Sequence, residues 1–160
     1  MAGMDLTLSR KGDYVLRAAV FLASAEAAER RTLQDISRAM SIPRSYTAHI
    51  LGLLVRAGLV EARAGRGGGY RLAASPEDVS MLEVIEIGEG GLVQRRCPLR
   101  GVPCHWGEQC AIHPTMSMAG DAIRGILRST SVAEVAREDR RLAGEVPIPV
   151  GPRTARNRRR

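Results

Sequence analysis

The sequence predicts a mainly α-helical fold: a winged helix-turn-helix domain with a two-stranded wing, followed by a long C-terminal dimerisation helix. Three observations predict it. Apolar residues recur at helical spacing in three successive segments before residue 58. A proline separates the second segment from the third. A glycine-rich stretch, AGRGGG, then joins two short strand-like runs, LVEAR and YRLA, as in a hairpin.

Capping signals mark where the predicted helices start and end. The first helix is predicted over Ser9–Ala25, where apolar residues recur on one side. Thr32–Asp35 is a capping box, in which a hydroxyl and a carboxylate satisfy free backbone amides, so the second helix starts there. Pro43 suits the first turn of the third helix, PRSYTAHILGLLVRAG, and Gly58 suits its end.

Two further capping boxes, Ser80–Glu83 and Ser131–Glu134, each open a helical pattern, and the second of these helices is predicted to be short. A longer helix is predicted between them, from about His113 to Leu127. We expect its apolar stripe to be the seam of a homodimer, with an ordinary core helix within one chain as the alternative. The stripe consists of Met116, Met118, Ala119, Ala122, Ile123, Ile126 and Leu127.

These patterns divide the chain into three parts. Residues 8–76 form the winged helix-turn-helix domain, residues 77–140 hold a cysteine-containing loop and the dimerisation helices, and residues 141–160 form a basic tail expected to be disordered. From Pro147 onward the tail holds five arginines and no acid, so the net charge of +7 falls to +2 without it. Such a tail adds either salt-sensitive affinity for a polyanion or only solubility.

The composition argues against a membrane protein and against an enzyme. No apolar run is long enough to cross a bilayer, and the start, MAGMDLTLSRKGDY, lacks the apolar segment of a signal peptide. We therefore expect a cytoplasmic protein, in which thiols stay reduced. No catalytic triad, carboxylate pair or nucleotide loop indicates catalysis.

The third predicted helix has two faces, as does a helix that enters the major groove of DNA. Its inward residues are predicted to be Tyr46, Ile50, Leu53 and Leu54, and its outward residues Arg44, Thr47, Ala48 and Leu51, with Ser45 and His49 at the flanks. A merely solvent-exposed face is the alternative. The predicted DNA-binding residues are Arg44, Ser45, Tyr46, Thr47, His49 and two arginines of the wing, Arg63 and Arg66.

The glycine cluster has two other interpretations. Glycine loops that hold nucleotide phosphates open directly into a helix, whereas this cluster opens into a strand, so a nucleotide site is disfavoured. A hairpin whose arginines are only solvated is the second. A wing tip that places Arg66 in a narrow minor groove fits better, and Arg63 is a candidate for the same role.

All three cysteines lie close together, in CPLRGVPCHWGEQCAIH, as Cys97-x6-Cys104-x5-Cys110, with His113 three residues further on. Reduced thiols and an odd number of cysteines argue against a disulfide. Prolines and glycines make tight turns, which suit a loop that gathers ligands around one point better than core packing of inert thiols. Thiolate and imidazole suit zinc or an iron–sulfur cluster, but structural zinc sites usually have closer cysteine pairs.

Three segments carry a resemblance to a known family: LSRKGDYVLRAAVFLA, RSYTAHILGLLVRAGLVEARAGRGGGYRLA and the cysteine loop. From about residue 8 to 138 the chain resembles the winged-helix transcription regulators with iron–sulfur clusters, typified by IscR, NsrR and RirA. The resemblance implies a homodimer that binds an inverted-repeat operator in double-stranded DNA and holds one cluster per subunit. Cys97, Cys104 and Cys110 would be the three cluster thiolates.

Two residues match positions of the fourth ligand in this family. His113 matches the IscR-like arrangement with a 2Fe–2S cluster, which its spacing from Cys110 favours. Asp13 matches the position from which NsrR-like proteins supply a carboxylate across the dimer to a 4Fe–4S cluster. The chain departs from the IscR-like pattern at Ala48, where a glutamate helps to read the operator, so the operator is expected to differ.

We therefore expect a dimeric DNA-binding transcriptional regulator, a repressor, whose cluster senses redox state, nitric oxide or the supply of iron and clusters. Two alternatives remain open: an iron–sulfur electron carrier with no role for DNA, and a zinc-stabilised DNA-binding protein without sensing. An absorption spectrum of protein purified without oxygen separates a cluster from zinc, and a gel shift separates a regulator from a carrier.

Overall fold

The computed structural model of the chain describes residues 7–25, 29–91 and 110–145. Within these ranges it has six helices and one two-stranded antiparallel sheet, which confirms the mainly helical winged helix-turn-helix fold. The elements in chain order are α1 (Arg10–Ala23), α2 (Leu33–Ala39), α3 (Arg44–Arg56), β1 (Val60–Arg63), β2 (Gly69–Leu72), α4 (Met81–Glu89), α5 (His113–Ser129) and α6 (Val132–Glu145).

The predicted helix caps are confirmed. Both contacts of each predicted capping box form in Thr32–Asp35, Ser80–Glu83 and Ser131–Glu134. The Ser9 hydroxyl, a cap that was not predicted, accepts the amide of Gly12 at the start of α1. The hydrogen bond from the Thr32 hydroxyl lowers the pKa of Asp35 below its ordinary value of 3.8. Since the folded-state pKa is depressed, this cap stabilises fully above pH 3.8 and weakens as the pH falls through the lowered pKa.

The turn between α2 and α3 is closed by a serine in the left-handed region. Ser41 has φ 51° and is the one non-glycine residue with positive φ in the part of the chain that the structure describes. The amide of Ile42 donates to the Ser37 carbonyl at 3.0 Å, and the amide of Ser41 donates to the Arg38 carbonyl at 3.3 Å. This is a Schellman cap with serine where glycine is usual. The segment MSIP signalled the break, but no glycine signalled this geometry.

One hydrophobic core joins the described elements other than α5, and α1 lies within it against α3, α4 and α6. The core includes Val79 before α4 and Val132 in α6, so residues on both sides of the predicted boundary at residue 76 share it. Its largest fully buried apolar side chains are Ile36, Ile50, Leu51, Leu54, Val15, Val84 and Val132. The winged helix-turn-helix and the segment that follows it are therefore packed as one body where they are described.

Two glycines allow α1 and α4 to cross at close range. A Cβ added at Gly88 would lie 2.6 Å from the Gly12 Cα, and a Cβ added at Gly12 would overlap the Glu89 carboxylate. That carboxylate accepts hydrogen bonds from the amide and the hydroxyl of Ser9, both at 2.8 Å. Its negative charge also suits the N-terminus of α1. The end of α4 is thus fastened to the start of α1.

Helix α5 uses only part of its apolar stripe to pack on α4. Arg124 of α5 pairs with Glu86 of α4 at 2.8 Å, and the residue before it, Ile123, is half-buried. By contrast, Met118 is 72% exposed and Ile126 is 65% exposed. No residue of α5 is buried by the rest of the described chain. An apolar strip of this helix is therefore left uncovered by the described residues.

Helix α6 is longer than predicted. It has 14 residues, so the prediction of a short helix is wrong, and residues 141–145 belong to this helix rather than to the predicted tail. Its first turns pack in the core, where Val132 and Ala136 are buried one turn apart, and further along Arg140 donates to the Ser24 carbonyl and Arg141 pairs with Glu138 within the helix. Residues 146–160 lie outside the described residues. None of the described helices is long and apolar enough to cross a membrane.

Candidate nucleic-acid interface

The first two turns of α3 present four neighbouring residues to solvent. Arg44, Ser45, Ala48 and His49 are all exposed, and their spacing places them within one arc of the helix. Pro43, with φ −54°, precedes the first helical residue, and no side chain caps the free amides there. The predicted outward placement of Arg44 and Ala48 is confirmed, and Ser45 and His49, predicted at the flanks, are exposed as well.

Two other residues that were predicted to face outward are buried. Thr47 and Leu51 are both 0% exposed, whereas Tyr46 and Leu53, which were predicted to point inward, are only half-buried. The predicted faces are therefore wrong at Thr47 and Leu51, and confirmed at Ile50 and Leu54, which are buried. A side chain that is wholly enclosed by its own chain cannot reach DNA, so Thr47 leaves the predicted contact set.

The Thr47 hydroxyl is buried because local backbone carbonyls satisfy it. It lies 3.1 Å from the Pro43 carbonyl and 3.3 Å from the Ile42 carbonyl, to which the Ser37 hydroxyl also donates, at 2.7 Å. These contacts join α3 to the turn before it. Thr47 therefore positions the start of α3 instead of contacting a ligand.

Replacing Thr47 by valine should destabilise the protein by about 1 kcal/mol, the usual value of a hydrogen bond in a folded protein. Valine has nearly the same shape but cannot donate, so the packing is kept and the hydroxyl contact is lost. We expect a lower urea midpoint and an unchanged m-value, which is the slope of the unfolding free energy against urea concentration. A Thr47→Val protein with the midpoint of the parent would show that the hydroxyl contributes nothing.

Tyr46 lies at the border between the core and the outer side of α3. Its ring meets the Tyr14 ring of α1 edge to face, with 5.4 Å between centroids, and lies 5.8 Å from the His49 ring. Edge-to-face contact is a favourable arrangement of two aromatic rings. The contacts give the exposed His49 a packed neighbour and leave Tyr46 half-exposed.

The predicted hairpin is confirmed as an antiparallel wing in which Val60 lies opposite Leu72. At the tip, Gly65 and Gly67 have φ of 88° and 71°, values that favour glycine, and they flank Arg66. Arg66 and Arg63 are exposed, and neither forms a salt bridge with any residue of the described ranges. The tip therefore presents two arginines to solvent.

A charge cluster at the base of the wing was not predicted from the sequence. Arg30, which precedes α2, donates from Nη2 to Glu61 Oε2 at 3.2 Å and from Nη1 to the Gly69 carbonyl at 3.4 Å. Arg71, which lies opposite Glu61 in the hairpin, donates from Nε to the same Oε2 at 2.9 Å. Contact with Arg71, and then with Arg30, holds the pKa of Glu61 below its ordinary value. The hairpin register could have signalled the Glu61–Arg71 pair, but nothing local signals Arg30.

Two candidate metal ligands lie together at the start of α5. Cys110 precedes the helix and is partly exposed, and its carbonyl accepts the amide of His113 at 3.0 Å. His113 is the first residue of α5 and is exposed, with Nε2 3.4 Å from the Ser117 hydroxyl. Cys97 and Cys104 lie outside the described residues. Among the described residues, no group of three His, Cys, Asp or Glu side chains assembles.

Asp13, the third candidate ligand that is described, lies on α1 and is already paired. Its Oδ1 accepts from Arg17 Nε at 3.1 Å, and its Oδ2 lies 3.0 Å from Arg17 Nη2. This is a two-point contact between a guanidinium and a carboxylate, which is a strong form of ion pair. Any metal that bound Asp13 would have to share or displace Arg17.

Comparison with known proteins identifies relatives over most of the chain. A family model, Rrf2, described as an iron-dependent transcriptional regulator, matches residues 8–138. An HTH-type transcriptional regulator of Neisseria meningitidis is 30% identical over 133 residues, which cover 83% of this chain and 89% of that protein. The HTH-type transcriptional regulator IscR of Escherichia coli is 29% identical over 130 residues, which cover 81% of this chain and 80% of that protein.

Solved structures share the fold. CymR, the global cysteine regulator of B. subtilis, has a TM-score of 0.69 at 24% identity and covers 83% of this chain and 98% of its own. IscR of T. potens has a TM-score of 0.66 at 24% identity and covers 85% of this chain and 90% of its own. These two structures support the winged helix-turn-helix architecture described above.

Proposed function

Because the chain belongs to the Rrf2 family of transcriptional regulators, we propose that it acts as a homodimeric repressor whose DNA binding responds to an iron–sulfur cluster. The family identifies a DNA-binding regulator and not an enzyme. The observation that carries the proposal is the solvent-facing arc of Arg44, Ser45, Ala48 and His49 on a helix whose opposite face is buried.

In this proposal α3 lies in the major groove with its N-terminal turns toward the bases. Arg44 and Ser45 donate to base edges or phosphates, and His49 contacts the duplex one turn later. Ala48 between them allows close approach but offers no acceptor for a cytosine amino group. Arg66 and Arg63, at the wing, reach the neighbouring phosphates or a narrow minor groove.

The dimer of this proposal uses the uncovered strip of α5. Packing the exposed Met118 and Ile126 against the same residues of a second copy would remove them from water, which is favourable for apolar side chains. A symmetric dimer then presents two α3 helices to half-sites about 34 Å apart. The operator is accordingly an inverted repeat.

The cluster is held by the thiolates of Cys97, Cys104 and Cys110 and by His113 as fourth ligand, and a 2Fe–2S cluster is favoured over a 4Fe–4S cluster. The described donors fit this role, because Cys110 and His113 are joined by a backbone hydrogen bond, are partly or fully exposed, and lie at the start of a helix, where anionic ligands are favoured. Asp13 is the alternative fourth ligand, but both of its oxygens are engaged by Arg17. When bound, the cluster supplies one-electron redox chemistry.

The signal in this proposal is redox state, nitric oxide or the supply of iron and clusters. Ligation of a cluster would tie Cys97 and Cys104 to Cys110, which lies three residues before the first residue of α5. Because α5 packs on α4, and α4 is fastened to α1 through Glu89 and Ser9, ligand state has a continuous packed route to the DNA-binding helices. Such coupling is limited to the difference in affinity between the two states. A relative is a cysteine regulator, so the family by itself does not fix the signal.

Replacing Arg44 by alanine should weaken binding to the preferred DNA about tenfold or more, since a good base contact contributes about 1–3 kcal/mol. The probe is the duplex that the unmodified protein selects from a random-sequence pool, and binding is measured by gel shift at fixed salt. A scrambled duplex of equal length measures the binding that does not depend on sequence.

Arg128→Ala is the matched control for Arg44→Ala. Arg128 is an exposed arginine in the last turn of α5, outside the winged helix-turn-helix, so its loss removes the same charge. We expect Arg128→Ala to leave the preference for the selected duplex unchanged. Equal losses in both variants, or an unmodified protein that selects no sequence, would contradict α3 as the reading element.

A further inference from the structure

The wing is attached to the segment before α2 by backbone as well as side-chain contacts. Arg31 and Tyr70 exchange two backbone hydrogen bonds, at 2.9 and 2.8 Å, and form an isolated antiparallel bridge. Gly69 makes this approach feasible, because a Cβ there would lie 2.7 Å from the Arg31 carbonyl oxygen. The chain entering the helix-turn-helix therefore runs along β2 and holds the hairpin from one side.

Arg30 extends this attachment across both strands. Besides the Gly69 carbonyl of β2, its guanidinium reaches the carbonyl and the carboxylate of Glu61 in β1, at 3.5 and 3.2 Å. The Arg30 side chain is only 16% exposed, so little of it is left for contact with a ligand. Arg71 donates to the same Glu61 oxygen from the opposite strand. The Glu61 carboxylate thus joins β1 to β2 through Arg71 and joins the wing to the segment before α2 through Arg30.

We propose that Arg30 and Glu61 form a wing anchor, which positions Arg63 and Arg66 for DNA without contacting DNA through either anchor side chain. Glu61 lies two residues before Arg63 in β1, and Arg63 lies directly opposite Gly69, whose carbonyl Arg30 holds. Fixing Glu61 and Gly69 therefore fixes the base from which both wing arginines project. This inference rests on the proposed DNA binding for its effect on affinity, but not for the anchor itself.

The negative charge of Glu61 and its role in the wing anchor predict opposite effects on DNA affinity when Glu61 is removed. Removing a carboxylate from a DNA-facing wing lowers the repulsion from phosphates, so charge alone predicts tighter DNA binding. Loss of the anchor instead allows Arg63 and Arg66 to move and predicts weaker binding. The sign of the change therefore separates a positioning residue from a surface charge.

The test is Glu61→Ala, measured with the duplex selected by the unmodified protein and with its scrambled counterpart. We expect binding to the selected duplex to weaken about tenfold, a normal size of coupling between contacting groups, with a smaller change for the scrambled duplex. Binding that is unchanged or tighter would overturn the anchor's role in DNA binding. In the Glu61→Ala background, a further Arg66→Ala change should cost less than it does alone.

Arg30→Lys keeps the positive charge but removes the planar fork that contacts both strands. We expect it to weaken binding as Glu61→Ala does, whereas Arg38→Lys, at an exposed position of α2, should have no effect. If Arg30 only attracted phosphates, lysine would preserve binding, and that result would overturn its positioning role.

Hydrogen exchange measured without DNA tests the anchor independently of the proposed function. Both anchor variants should exchange the amides of Arg31 and Tyr70 at least about tenfold faster than the parent, since local opening becomes easier. Unchanged exchange would overturn the anchor even if DNA binding changed. Faster exchange in a protein that selects no DNA sequence would instead contradict the proposed function and leave the anchor standing.

Discussion

A Gly88→Val protein is expected to lose about 3 kcal/mol or more of unfolding free energy, because α1 and α4 cross without room for a side chain. Even the first carbon added at Gly88 would lie 2.6 Å from the Cα of Gly12, and this neighbour is backbone, which cannot rotate away. The two helices must separate, and the contact between Glu89 and Ser9 separates with them. The measurement is urea unfolding followed by circular dichroism at a fixed protein concentration.

Gly120→Ala is the control for this substitution. Gly120 is also a helical glycine, but a Cβ added there meets nothing within 4 Å. Because alanine is favoured over glycine inside a helix by about 1 kcal/mol, this variant should be stabilised slightly. A Gly88→Val protein as stable as its parent would show that the close crossing of α1 and α4 contributes nothing to folding.

The parts of the fold that were predicted correctly depend on local chemistry. The capping boxes at Thr32, Ser80 and Ser131 satisfy backbone amides within four residues, so their signals are complete in the sequence. The hairpin also depends on residues close in sequence, since Gly65 and Gly67 supply the positive φ values that its tip requires. The antiparallel polarity of the two strands follows once this turn is fixed.

The parts that were missed depend on contacts between distant residues or on burial of polar groups. Thr47 is buried because two carbonyls of the preceding turn satisfy its hydroxyl, and that turn is held by a left-handed serine instead of a glycine. Helix α6 packs on α1 through its first turns, where Val132 and Ala136 are buried. Arg30 meets Glu61 across 31 positions of sequence, so no periodic pattern could have indicated the wing anchor.

The outer side of α3 could be predicted in part, because the placement of exposed polar residues follows from their spacing along the helix. Arg44, Ser45 and His49 are polar residues that need no buried partner, and they lie where their spacing placed them. The fourth ligand of the proposed cluster is a harder problem, because the sequence offers both His113 and Asp13. The structure adds one physical distinction between them, which is that Arg17 already pairs with Asp13 while His113 is exposed beside Cys110.

Cys110→Ala is expected to abolish the visible absorbance of protein purified without oxygen, and His113→Ala to reduce it strongly. A thiolate or imidazole removed from a four-ligand site leaves iron open to solvent, so the cluster is lost. Asp13→Ala should retain the absorbance, because this carboxylate is committed to Arg17. Absorption spectra, together with iron and sulfide per subunit, measure the result.

His49→Ala is the control, since His49 is an exposed histidine on α3 beside Tyr46 and far in sequence from the cysteines. It should keep full absorbance while weakening DNA binding, which separates loss of the cluster from general damage. Loss of colour in Asp13→Ala with retention in His113→Ala would overturn His113 as the fourth ligand and favour a carboxylate-ligated 4Fe–4S cluster. A colourless parent that holds zinc and selects DNA would instead support the zinc-stabilised alternative, because zinc has no redox chemistry with which to sense.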